Sequence, residues 1–123
     1  MSQGLKITFI VHALVALVFG IVLFFVPNVF NTTFDWSPFD PTIARLYGAV
    51  LLAISLSSWL GYRATRWEEV RIVVSMEIAL AVLGALAGLY EVLLADGPTF
   101  TWVPIVVFVV FGVAWIYFYR QKK

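Results

Sequence analysis

The chain has 123 residues, of which 63% are hydrophobic and only 12% charged, against about 25% charged in ordinary soluble domains. A soluble fold of this size keeps a large share of its residues at the surface, so this composition calls for lipid as solvent. A net charge of +1 excludes the dense basic stripe that nucleic acid requires, and the lack of cysteine excludes disulfide exchange, thiolate catalysis, iron–sulfur clusters and zinc–cysteine sites.

The expected fold is all-α, an integral membrane four-helix bundle of up-down topology forming one domain over residues 1–123. Position 2 is Ser2 rather than the glycine that myristoylation needs. The first apolar run is too long for a signal-peptide core, so no cleaved leader is expected.

The first span covers residues 7–26, broken only by Thr8, His12 and Gly20, and stops at Pro27-Asn28. About 20 residues at 1.5 Å rise cross a hydrocarbon core of roughly 30 Å. His12, Ala16 and Gly20 share one face of it. The connection from Pro27 to Asp40 carries Phe30, Phe34, Trp36 and Phe39, which reads as an aromatic belt lying in the interface; a substrate-gripping loop is the alternative. Asn31-Thr32-Thr33 is formally a glycosylation sequon, incidental so close to the membrane.

The second span covers residues 41–62, with Asp40 as N-cap and Pro41 at the first helical position. Arg45, Gly48, Leu52, Ser55 and Trp59 recur along one face. Arg66, Glu68, Glu69 and Arg71 form a short charged turn that reads as a solvated hairpin. The third span, 70–94, ends at Asp96-Gly97-Pro98, and Glu77, Ala81, Gly84, Gly88 and Glu91 share a face. Gly84 and Gly88 form a GxxxG, a spacing that lets another helix backbone approach. The fourth span covers 102–119, with Pro104 in its first turn. Continuous apolar runs, rather than alternation, exclude a β-barrel.

Residues 33–38 and 99–104 both fit T-F-x-W-x-P, which leaves two readings: parallel helical-hairpin repeats about an axis along the membrane normal, or the ordinary interfacial preference for Trp and Phe. Lys6, Arg63, Arg66, Arg71, Arg120, Lys122 and Lys123 fall on one side of this arrangement, and Arg45 alone falls on the other. The positive-inside rule then puts the N- and C-termini in the cytoplasm of a multi-pass cell-membrane protein. Arg120 to Lys123 reads as a stop-transfer anchor, being short of the four to eight basic residues of a lipid-binding patch.

Small residues mark the packing faces: Ala16, Gly20, Gly48, Ala81, Gly84 and Gly88. His12 and Glu77 lie at matching depth, about 10 Å into their spans by helical rise, and Ser55 and Ser58 of the second span reach the same level. A polar layer of His12, Ser55, Ser58 and Glu77 is expected, and a second layer pairing Arg45 with Glu91, with Tyr47 or Tyr90 nearby. An ionisable side chain at a helix centre costs about 2.5–3.5 kcal/mol, so Glu77 requires a partner or neutrality. The inner layer is either interhelical glue or a ligand or proton site; Arg45 and Glu91 are shallow enough to snorkel. A Ser–His–carboxylate set is nominally present, but the serines sit in regular helix without an elbow or oxyanion donors. No second histidine supplies a metal site, and no cofactor is expected.

The run from Pro41 to Leu52, followed by Trp59 and Arg63, resembles the second helix of small prokaryotic four-helix membrane proteins, the DoxX-like group being the nearest. The resemblance implies a four-helix fold and carries no catalytic residue. The absence of cysteine departs from the four-helix membrane enzymes that generate disulfides. The expected function is therefore binding of a small apolar or amphipathic ligand, or of a membrane partner, by a homo-oligomer among membrane lipids. The rivals are a small proton-coupled carrier using Glu77 and His12, and a lipid- or quinone-modifying enzyme.

Overall fold

The computed structural model describes residues 1–121 and is all-helical, with no strand among the described residues. Lys122 and Lys123, part of the expected anchor, lie outside them. Helix α1 (Gln3–Phe25) opens on Ser2, whose side chain accepts the Leu5 N–H at 3.2 Å. It stops where Pro27 follows Val26, because proline brings no N–H to continue the ladder. That proline then sits in the first turn of α2 (Pro27–Phe34), a short helix inside what the sequence presents only as an aromatic connection. Asp35 ends α2 in the left-handed region, a conformation that aspartate tolerates better than most residues.

Helix α3 (Pro41–Arg63) is capped by Asp40, whose carboxylate accepts the N–H groups of Thr42 at 2.8 Å and Ile43 at 3.3 Å. Helix α4 (Trp67–Leu94) has no side-chain cap at Arg66, but Glu68 and Glu69 occupy its first turn, where the helix dipole favours negative charge. The Glu69 carboxylate also accepts the Thr65 N–H at 3.2 Å and the Arg66 Nε at 2.9 Å, which closes the turn from α3 into α4. A 3-10 turn, Thr99–Thr101, leads into α5 (Trp102–Gln121). Helices α1, α3 and α4, and α5 with the turn before it, are each long and apolar enough to cross a membrane.

Glycine sets which helices meet closely. A methyl group on Gly48 of α3 would sit 2.6 Å from the Phe24 backbone nitrogen of α1, and one on Gly20 would meet Leu52 at 2.9 Å. Further along the same seam, Gly61 lies under the Phe9 ring. In the other pair, Gly84 and Gly88 of α4 lie under Phe108 and Ile105 of α5, and Gly112 faces Ala81. The glycines of the GxxxG thus face another helix of the same chain. Two tight pairs result, α1 with α3 and α4 with α5.

The pairs join at one end. There the Met1 amino group donates to the Thr65 carbonyl at 3.3 Å, Gly4 lies on Phe118, and Leu5, Phe9, Val70, Val74 and Trp115 form a buried core. At the opposite end α2 reaches across to the 3-10 turn, with Phe30 packed against Trp36 and Phe100, and the Phe34 and Phe100 rings 4.2 Å apart. Large apolar side chains such as Ile72, Leu83 and Leu94 stay exposed around the outside, the surface expected of helices solvated by lipid rather than water.

Candidate functional site

Between the closed core and the aromatic cluster the two pairs part and leave a cavity of about 400 Å³. Its walls are α1 from His12 to Leu23, α3 from Ile43 to Ile54, and α5 from Pro104 to Trp115, with Glu77, Leu80 and Ala81 from α4. Each of the three longer walls covers eleven residue steps, about 16 Å by helical rise. Phe30, Trp36, Phe39 and Phe100 close the far end.

At the floor, one acid–base pair bridges the two helix pairs. Nε2 of His12 stands 3.5 Å from Oε2 of Glu77, and Nδ1 of His12 is 2.7 Å from Oγ of Ser58. The imidazole is wedged edge-on between aromatic rings, 4.7 Å from Phe111 and 5.5 Å from Trp115. Glu77 is only 1% exposed, and its second oxygen, Oε1, has no hydrogen-bond partner. Such an orphaned buried acceptor costs about 1–3 kcal/mol or more. If Glu77 is ionised and the ring is an imidazolium, Nε2 donates to the carboxylate and Nδ1 donates to Oγ of Ser58. If the carboxyl holds the proton, it can donate to Nε2, and the neutral ring keeps its own hydrogen on Nδ1 toward Ser58.

The residues expected in the inner layer do not all share one cluster. Ser58 joins His12, whereas Ser55 donates to the Ala13 carbonyl at 2.7 Å and ties α3 to α1. Ala16 and Ala81 line the cavity. Gly20, Gly48, Gly84 and Gly88 serve the seams within each pair. The expected Arg45–Glu91 layer is a correction. Both side chains are exposed, and the acid–base contacts within 4 Å among the described residues are His12–Glu77 and Arg66–Glu69. The reason is that α3 packs on α1 while α4 packs on α5, so the faces bearing Arg45 and Glu91 are never brought together. Tyr47 does reach the cavity wall, and Tyr90 stays exposed.

Sequence reasoning misses the aromatic wall. Phe108, Phe111 and Trp115 follow one another at helical spacing on α5, a signal readable as a stripe though not as a cavity lining. It also misses Thr101, whose buried Oγ1 is likewise unpartnered.

Chemically the arrangement argues against acyl transfer. Ser58 is fully buried and does not line the cavity, so its hydroxyl has no route to a substrate carbonyl. Among the described residues no group of three or more metal-ligating side chains comes together. What remains is an apolar chamber with a proton-bearing pair at its floor, the usual composition of a small-molecule site. Comparison with protein-family models, curated proteins and solved structures gives no match for this chain.

Proposed function

We propose that this chain is an integral membrane protein that binds a small apolar or amphipathic molecule in the cavity between its two helix pairs. It is taken as an up-down bundle, with both termini and the 64–66 connection in the cytoplasm in accord with the distribution of Lys and Arg. The two pairs are read as hairpin repeats, supported by the contact between Phe34 and Phe100, equivalent positions of the T-F-x-W-x-P motif. The observation that carries the binding reading is the cavity itself: about 400 Å³, almost wholly apolar in its lining, with His12 and Glu77 at its floor. Binding sites of drug-sized molecules are built this way, with few polar groups in a mostly apolar chamber.

Native mass spectrometry of the protein in mild detergent tests it. A reproducible small-molecule adduct, lost when Ala16→Phe fills the cavity, is the expected result. No adduct after extraction, together with no binding of added amphiphiles, overturns the reading.

A second reading is a proton-coupled carrier. It is favoured by the line Ser58–His12–Glu77, along which a proton can change hands between the helix pairs. Four helices enclose little volume, so a transport path would form between copies of the chain. This reading expects Glu77→Gln to abolish flux in liposomes while leaving the fold intact; unchanged flux ends it.

A further inference from the structure

We infer that the cavity takes a neutral amphiphile with a hydroxyl head, its head at Glu77 and its apolar body reaching toward Phe30 and Trp36. The inference rests on the cavity being a binding site and goes on to name the chemistry of the occupant.

One acceptor at the floor lacks a donor. Oε1 of Glu77 is buried and unpaired, while Oε2 faces His12. Glu77 lines the cavity, and the terminal torsion of a glutamate is soft, so turning the carboxyl can present this oxygen to an O–H in the chamber. The donors of the chain that line the cavity, the Trp36 and Trp115 indole N–H groups and the Tyr47 hydroxyl, make no hydrogen bond to it. Tyr47 also lines the cavity, but it lies on α3 eleven residues from Ser58, the partner of His12, or about 16 Å by helical rise. Asp40, at the far end, is an acceptor already committed to capping α3.

Charge then selects the head. Sharing one titrating proton, His12 and Glu77 are either both neutral or an imidazolium facing a carboxylate, so the floor is neutral as a unit. A head of fixed charge would add an uncompensated charge to an apolar chamber, which is strongly unfavourable. A carboxylate or phosphate would in addition meet an acid at either end of the chamber, Glu77 at the floor or Asp40 at the far end. A hydroxyl supplies the missing donor without adding charge. Shape selects the body: a chamber of about 400 Å³ drawn out over about 16 Å is long and narrow, and its lining is aliphatic and aromatic.

The test uses the full chain in lipid nanodiscs, with Trp36 and Trp115 on the cavity wall as fluorescent reporters. Four probes of equal chain length are titrated: a primary alcohol, its methyl ether, a trimethylammonium and a carboxylate. Binding is expressed per mole fraction in the disc lipid, so that partitioning cancels. The alcohol is expected to bind about tenfold more tightly than the ether, the scale of one hydrogen bond to an otherwise orphaned acceptor. In Glu77→Met, similar in length but apolar, that preference should vanish while the ether still binds. Equal binding of alcohol and ether by the natural chain overturns the hydroxyl assignment and leaves the cavity reading standing. Tightest binding of the ammonium or the carboxylate overturns it in favour of a charged ligand. No binding of any probe removes the cavity reading itself. The alcohol–ether comparison on the natural chain decides the matter even if the Met variant fails to fold.

Discussion

The two halves of the bundle are built from the same four long helices and differ in where their bulky side chains go. At the end with Met1 and the 64–66 connection, Phe9 and Trp115 stand between the helix pairs, 4.9 Å apart, and the pairs lock together. Toward the aromatic end Leu52 over Gly20, Phe108 over Gly84 and Ile105 over Gly88 fill the seams within each pair, as Phe9 over Gly61 does at the closed end. Among the described residues, however, no such ring pair of the long helices bridges the gap between the pairs there. The space between the pairs is then left to the cavity. Without a hydrophobic drive between helices in lipid, close contact depends on packing shape, so whether bulk stands between the pairs decides whether that interface closes.

The largest effect should come from breaking a seam. Gly48→Val puts a branched side chain where even a methyl group would meet the Phe24 backbone nitrogen at 2.6 Å and the Gly20 carbonyl at 3.0 Å. Backbone cannot yield as a flexible side chain does, and the variant should lose about 3 kcal/mol, the upper part of the overpacking range. A melt in detergent followed by circular dichroism reads this directly. A melting temperature within a degree or two of the natural chain would show that α1 and α3 do not need this approach.

The closed half is probed by Trp115→Ala. Removing a fully buried indole deprives Phe9, His12 and Val74 of packing. In water such a truncation costs about 3–5 kcal/mol, part of it the return of apolar surface to solvent. In lipid that part is absent, so roughly 2 kcal/mol is expected. The cavity should also deepen toward the terminal end, since Trp115 lines its floor. A longer alcohol should then gain on a shorter one. If chain-length preference does not move, Trp115 does not set the depth of the chamber.

How much of this is legible in the sequence follows from which properties are local. The four apolar runs are local, and the helices follow them. The depth of His12 and Glu77 is nearly local, since 1.5 Å per residue sets the level of a side chain along each helix, and the two meet at 3.5 Å. Which helices become neighbours is not local. Arg45 and Glu91 sit at plausible heights, yet α3 turns to α1 and α4 turns to α5, leaving both charges exposed. The cavity is less legible still, because it is a remainder left by the close approach at Gly48 and Gly84 and by the wedge at Trp115. The helix α2 is hidden for another reason: eight residues rich in Phe, Asn and Thr carry no helical periodicity strong enough to read.

The smallest expected effect lies at the boundary of the open half. Asp40 caps α3 through the Thr42 and Ile43 N–H groups and also lines the aromatic end of the cavity. Asp40→Ala removes the cap, a loss of about 1 kcal/mol or less at an exposed helix start, and should lower the melting temperature slightly. It removes no bulk from either seam, so the close approaches at Gly48 and Gly84 should persist. Its value lies in separating two roles that meet in one carboxylate. If Asp40 helps to exclude anions, Asp40→Ala should let the carboxylate probe bind better while the alcohol is unchanged. Asp40→Asn restores a capping side chain without the charge, so it should recover stability while keeping the relaxed selectivity. Should Asn restore both, the carboxylate matters to the helix alone, and Glu77 by itself sets the charge preference of the chamber.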